Sequence, residues 1–166
     1  PPARRGAGRA LGVLAAVVAV MLALGAAAYL FLGDDSGDAA DSASPGTDPV
    51  FSDPAKVVDR WLNAMFILKD VDQMIRYTCK KEADRAEVEK AVKGVRKAEQ
   101  DAKAAKLSMK VSWSAPTEES RGVSTAKVTS TLKVVVGKKA DEKHADFDLV
   151  DEAGWKVCDA EMTSPT

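Results

Sequence analysis

The sequence has little of what most catalytic and metal sites are built from. It contains one histidine, His144, and two cysteines, Cys79 and Cys158, which stand far apart. A lone imidazole and no paired thiols argue against a zinc or other metal site, whose ligands come in close clusters. No glycine-rich phosphate loop and no nucleophile elbow occurs, so no catalytic residue and no cofactor is assigned. Aromatic residues are sparse: three Trp, two Tyr and four Phe. Clustered positive charge is missing as well, which argues against nucleic acid as a partner. Only Arg4, Arg5 and Arg9 are charged before Asp34; the rest of the chain carries 21 Lys and Arg against 25 Asp and Glu, a net charge of −4.

The first third holds the one long apolar run. Ala10 to Gly33 contains no charge. As a helix its 23 residues to Leu32 would extend about 34 Å, against a hydrocarbon core of ~30 Å. A helix satisfies its own backbone there. The arginines on one flank and Asp34, Asp35 and Asp38 on the other place the N-terminus inside and the remainder outside. The rival reading is a cleaved signal peptide, with small residues at Gly25 to Ala28 as the cleavage site. Signal-peptide cores run to roughly 7–15 residues, shorter than this one. The expected organisation is therefore a cytoplasmic tail at 1–9, a transmembrane helix at 10–33, an acidic linker at 34–51, an extracytoplasmic domain at 52–162 and a tail at 163–166. The linker has no apolar residue larger than Ala through Pro49 and cannot bury enough surface to fold.

Within the domain, Ser52-Asp53-Pro54 is a helix start. Val57, Val58, Trp61, Leu62, Met65 and Leu68 recur at helical spacing, widened by Ala55, Ala64 and Phe66; Asp59, Arg60 and Asn63 form the wet side, and Ile67 fits it poorly. Asp70 can cap a second helix over Val71 to Cys79. A third runs from Glu82 to Lys106, with Val88, Ala91, Val92, Val95, Ala98, Ala102 and Ala105 as its apolar stripe and Glu89–Lys93 and Glu99–Lys103 as i,i+4 pairs. The period then changes to two. Leu107 to Ala115 reads as a strand and Pro116 to Gly122 as a turn. Thr125 to Val136 is a long strand whose apolar set contains one polar member, Ser130, and a bulge is expected near Ser124-Thr125. Gly137 to Glu142 turns again. Ala145, Phe147 and Leu149 alternate with His144, Asp146 and Asp148, so His144 is placed on the wet face. Trp155 to Glu161 is the last strand. Three helices followed by four antiparallel strands in a meander make an α+β fold with the helices on one face of the sheet.

This pattern resembles the membrane-anchored nuclear-transport-factor-2-like proteins of actinobacteria, which have a cone-shaped, cystatin-like fold. The residues that carry the resemblance are Asp53-Pro54, Val57-Val58, Trp61-Leu62, Tyr77-Thr78-Cys79 and Gly154-Trp155-Lys156-Val157-Cys158. It implies a curved sheet and a cone cavity, for which Trp61, Met65, Tyr77, Trp113, Ser130 and Phe147 are the pocket candidates. Two cysteines on an exported domain suggest one disulfide, and the resembled order brings the second helix near the last strand, pairing Cys79 with Cys158. Cys158 is out of phase with Trp155 and Val157, so either those two face away from the helices or the strand carries a bulge.

The function expected is a non-catalytic interaction or accessory domain on the outer side of the cytoplasmic membrane, anchored through residues 10–33. Its partner would be another envelope or membrane protein, with the domain possible as a small subunit of a larger complex. The alternative is a small apolar-ligand binder or enzyme that uses the cone cavity.

Overall fold

The computed structural model describes residues 49–164. The segments expected as cytoplasmic tail, transmembrane helix and most of the linker lie outside those residues. Among the described residues no helix is long and apolar enough to cross a membrane. The architecture is α+β: three helices and one antiparallel sheet of five strands.

The chain enters through a 3-10 turn, Pro49–Ser52, and Phe51 is already buried. Packing therefore starts before the Ser52 helix signal, inside the stretch read as linker. Helix α1, Pro54–Asn63, begins where expected: Asp53 caps it by accepting from the Ala55 N–H at 3.0 Å, and Pro54 fixes the first turn. Its apolar face buries Val57, Val58, Trp61 and Leu62. A π-helical turn, Ala64–Leu68, extends it. The widened turn rotates the stripe, so Ala64, Met65 and Phe66 are all buried while Ile67 and Leu68 are 52% and 58% exposed. Leu68 thus leaves the buried stripe to which the helical spacing had assigned it.

Helix α2, Val71–Tyr77, is capped by Asp70 and stops two residues short of Cys79. Helix α3, Arg85–Ala104, is capped by Asp84 and buries Val88, Val92, Val95, Ala98 and Ala102. Glu89 pairs with Lys93 at 3.4 Å, but Glu99 reaches Lys69 at 3.0 Å rather than Lys103, tying α3 to the end of the π turn.

The sheet corrects the strand count. Strands β1, Met109–Trp113, and β2, Thr117–Arg121, both pair with the same edge of β3, Thr125–Val136. They are one edge strand interrupted at Ser114–Pro116, so the turn expected at Pro116 to Gly122 is mostly strand. The chain reverses at Gly122–Ser124 instead, with Val123 fully exposed. The register shift lies between Glu118 and Ser120 in β2, not at Ser124-Thr125. Strand β4, Lys139–Asp151, follows a two-residue loop in which Gly137 has φ 62°. Glycine first in such a loop supplies the positive φ of a type II′ hairpin. Strand β5, Trp155–Thr163, completes the sheet. Ala126, Val128, Leu132, Ala145, Phe147, Leu149, Trp155 and Val157 pack against α1 and α2 in the main core; Val134 and Val136 meet Ala98 and Ala102 of α3 in a second cluster.

Candidate functional site

The six pocket candidates converge between α1, α2 and the sheet. Trp61, Met65, Tyr77 and Phe147 belong to one buried cluster, and Ser130 is buried at 4% exposure. Trp113 is half-buried at its edge. Trp61 meets Phe147 edge-on, with ring centroids 5.9 Å apart. Its Nε1 donates to Thr78 Oγ1 at 3.1 Å, and that hydroxyl donates to the Met74 carbonyl at 2.8 Å. Tyr77 does not join this pair; its ring packs on Phe51 at 5.5 Å. Trp113 lies at the open edge, 6.4 Å from the Phe66 ring, and donates Nε1–H to Asp59 Oδ1 at 2.9 Å. Asp59, on the wet side of the helix by its spacing, holds this indole. Ser130 donates to the Ser114 carbonyl at 2.8 Å, and the Ser114 hydroxyl accepts from the Thr131 N–H at 2.9 Å. These two serines bind β3 to the break between β1 and β2.

Among the described residues, every buried side-chain nitrogen and oxygen has a hydrogen-bond partner. None of the buried residues there carries a formal charge: beyond the apolar core only Thr129 and Ser130 are buried. His144 is exposed on the outer face of the sheet, 3.6 Å from Asp146. Three or more His, Cys, Asp or Glu side chains do not gather into a metal-binding group among these residues.

The second feature is the disulfide. Cys79 and Cys158 are bonded, with Cα atoms 5.1 Å apart. After α2 the chain runs along the outer edge of β5: Thr78 bridges Val157 in parallel, and the Cys79 N–H donates to the Val157 carbonyl at 2.9 Å. On the other edge, Asp148 faces Asp159 and Leu149 faces Val157, so Cys158 is the extra residue of a bulge. The bulge lets Trp155 and Val157 face the helices while Cys158 reaches Cys79. Next to this seam, burial raises the Glu82 carboxyl pKa; nearby Lys81 opposes the shift and Asp159 adds to it.

The third feature was not found from the sequence. Phe51, Arg76, Lys156 and the β4–β5 turn meet where the chain enters the domain. Lys156 Nζ lies 4.1 Å and Arg76 Cζ 5.4 Å from the Phe51 ring centroid. Burial holds the Lys156 ammonium below the usual lysine range; Arg76 pushes it the same way and Glu152 opposes. The residues come from four elements, and no local motif joins them.

Together these features define, among the described residues, an α+β domain with a buried helix–sheet core and one covalent staple. No protein-family model matches the chain, and no curated protein matches it.

Proposed function

We propose that this chain is a non-catalytic, membrane-tethered accessory domain, displayed outside the cytoplasm and acting by contact with another envelope or membrane protein. The observation that carries the reading is the state of the helix–sheet interface. The side chains that would line a cone cavity pack or hydrogen-bond with protein neighbours, and each buried polar side-chain atom among the described residues is satisfied. A ligand pocket keeps convergent polar groups for its ligand. Here Trp61, Trp113 and Ser130 give their hydrogen bonds to Thr78, Asp59 and Ser114. The order of three helices and an antiparallel sheet fits the nuclear-transport-factor-2-like resemblance, and the disulfide fits an oxidising location. Residues 10–33 supply the tether.

The exposed Ile67 and Leu68 give the contact a starting point, since two adjacent large aliphatic side chains stand in water there. The test is in-cell cross-linking followed by purification of the full chain in detergent. Recovery of one protein in fixed ratio, lost when Ile67 and Leu68 are changed to Lys, supports the reading. A bound small molecule seen by native mass spectrometry, with no protein partner, overturns it.

A further inference from the structure

The two halves of the disulfide differ in access. Cys79 is 0% exposed, whereas Cys158, the extra residue of the bulge, is half-buried beside an exposed Asp159. A thiolate opens a disulfide by bonding to one sulfur and expelling the other, and access decides which one it bonds to. Cys79 offers an incoming thiol no surface; Cys158 does.

Both sides of the bridge are also held without it. The Cys79 N–H donates to the Val157 carbonyl at 2.9 Å, and the Cys79 carbonyl accepts from the Glu82 N–H at 3.0 Å. One residue earlier, Thr78 Oγ1 accepts from Trp61 Nε1 at 3.1 Å; one residue later, the Lys80 N–H donates to Glu152 Oε2 at 3.0 Å. On the other side, Val157 and Asp159 keep their partners Leu149 and Asp148 in β4. Breaking the sulfur–sulfur bond removes none of these contacts, so Cys79 stays beside Cys158 when the bond is open.

We propose that Cys158 is a site of reversible thiol exchange with a small thiol. The thiolate of that molecule bonds to Cys158 Sγ as the Cys79–Cys158 bond breaks. The electron pair of the broken bond leaves on Cys79 Sγ, which takes up a proton from solvent. The product is a mixed disulfide on Cys158 and a thiol on Cys79, with no net oxidation or reduction. In the reverse step Cys79, still in place, loses its proton, bonds to Cys158 and expels the small thiol. The mixed disulfide thus takes the covalent hold off the end of α2 while the hydrogen bonds keep it docked. The domain loses stability and keeps its fold.

The test uses the oxidised full chain in detergent micelles, mixed with excess reduced glutathione in native buffer. Samples are quenched in acid at intervals and alkylated, and the two cysteines are mapped by mass spectrometry. Glutathione should appear on Cys158 severalfold more than on Cys79, with the alkyl label on Cys79. The rate should be the same in urea below the unfolding transition. A rate that climbs with that urea would mean that only unfolded chains react, and would overturn the proposal. Glutathione mainly on Cys79, or a bridge that stays intact throughout, would overturn it too. Single variants read the site without the bridge. Oxidised glutathione should modify Cys79→Ser severalfold faster than Cys158→Ser, with amide spectra showing both folded. Equal rates in the two folded variants would contradict entry at Cys158.

Discussion

Cys79 and Cys158 come within bonding reach, Cα to Cα 5.1 Å, because Cys158 is the one residue that the β4–β5 ladder leaves unpaired. Val157, its neighbour, keeps its side chain in the core and gives its carbonyl to the Cys79 N–H. A backbone contact and a covalent bond thus fasten the end of α2 to the edge of the sheet. Without the bulge, a period of two would keep Cys158 in regular alternation with Val157.

The staple closes a separation of 79 residues, for which chain entropy gives a stabilisation of about 4 kcal/mol. Replacing Cys79 and Cys158 together with Ser should lower the denaturant midpoint and the melting temperature by a large fraction of total stability. Chemical denaturation of oxidised wild type, reduced wild type and the double variant checks this. Equal midpoints would show that the bridge constrains nothing.

Ala153 holds φ 60° in the β4–β5 turn, a left-handed conformation that costs an L-residue with a Cβ roughly 1–2 kcal/mol. Ala153→Gly should therefore stabilise the domain, by less than that full cost because glycine also gains freedom in the unfolded chain. The Asp151 carboxylate, which accepts from the Gly154 N–H at 2.7 Å, keeps the turn closed in either variant. Thermal melts of the two proteins decide the sign.

Glu82 is an acid whose folded pKa lies above its unfolded one, through burial and the nearby Asp159. The sign follows from linkage: the folded state binds the proton more tightly, so the group destabilises the fold when ionised, and that penalty fades as the pH falls through the carboxylate range. Glu82→Gln should raise the melting temperature at neutral pH, and the difference should shrink towards zero in acid. A lower melting temperature for Glu82→Gln at neutral pH would mean that Glu82 gains more from Lys81 than it loses to burial.

Trp113 and Asp59 lie 54 positions apart and share a 2.9 Å hydrogen bond between β1 and α1. Trp113→Phe removes the donor and keeps most of the apolar contact with Phe66. The expected loss is about 1–2 kcal/mol, and Asp59→Ala should cost a similar amount. If the pair acts as a unit, the double variant will cost less than the sum of the two single ones.

Much of this architecture is legible in the chain, and the misses have physical causes. The alternation in Thr125–Val136 and Lys139–Asp151 is visible because one face is packed and the other wet. Two helices announce themselves through Asp53 and Asp70 as caps, while the third, expected from Glu82, starts at Arg85 behind an Asp84 cap. Strand β2, with the sequence TEESR, has no apolar residue to alternate; its pairing comes from lying along β3, a property of the partner. Phe51 is a single aromatic beside a polar stretch, and only the Gly154 turn that receives it reveals it as core. The π turn gives no propensity signal beyond the poor fit of Ile67. At the candidate site, Trp61, Met65 and Phe147 are recoverable from periodicity, since each belongs to a regular apolar face. The Trp113–Asp59 bond and the Arg76–Phe51–Lys156 cluster are not, since both join side chains from separate elements.

A stapled domain displayed outside the cytoplasm, as proposed, keeps Cys79 and Cys158 bonded in the cell. Its most direct test is the redox state of the two cysteines in the cell. Cells producing the full chain are quenched in acid, and the protein is denatured and alkylated without reduction. The account expects no modified cysteine per chain until reductant is added, and two afterwards. Two modified cysteines per chain before reduction would contradict it.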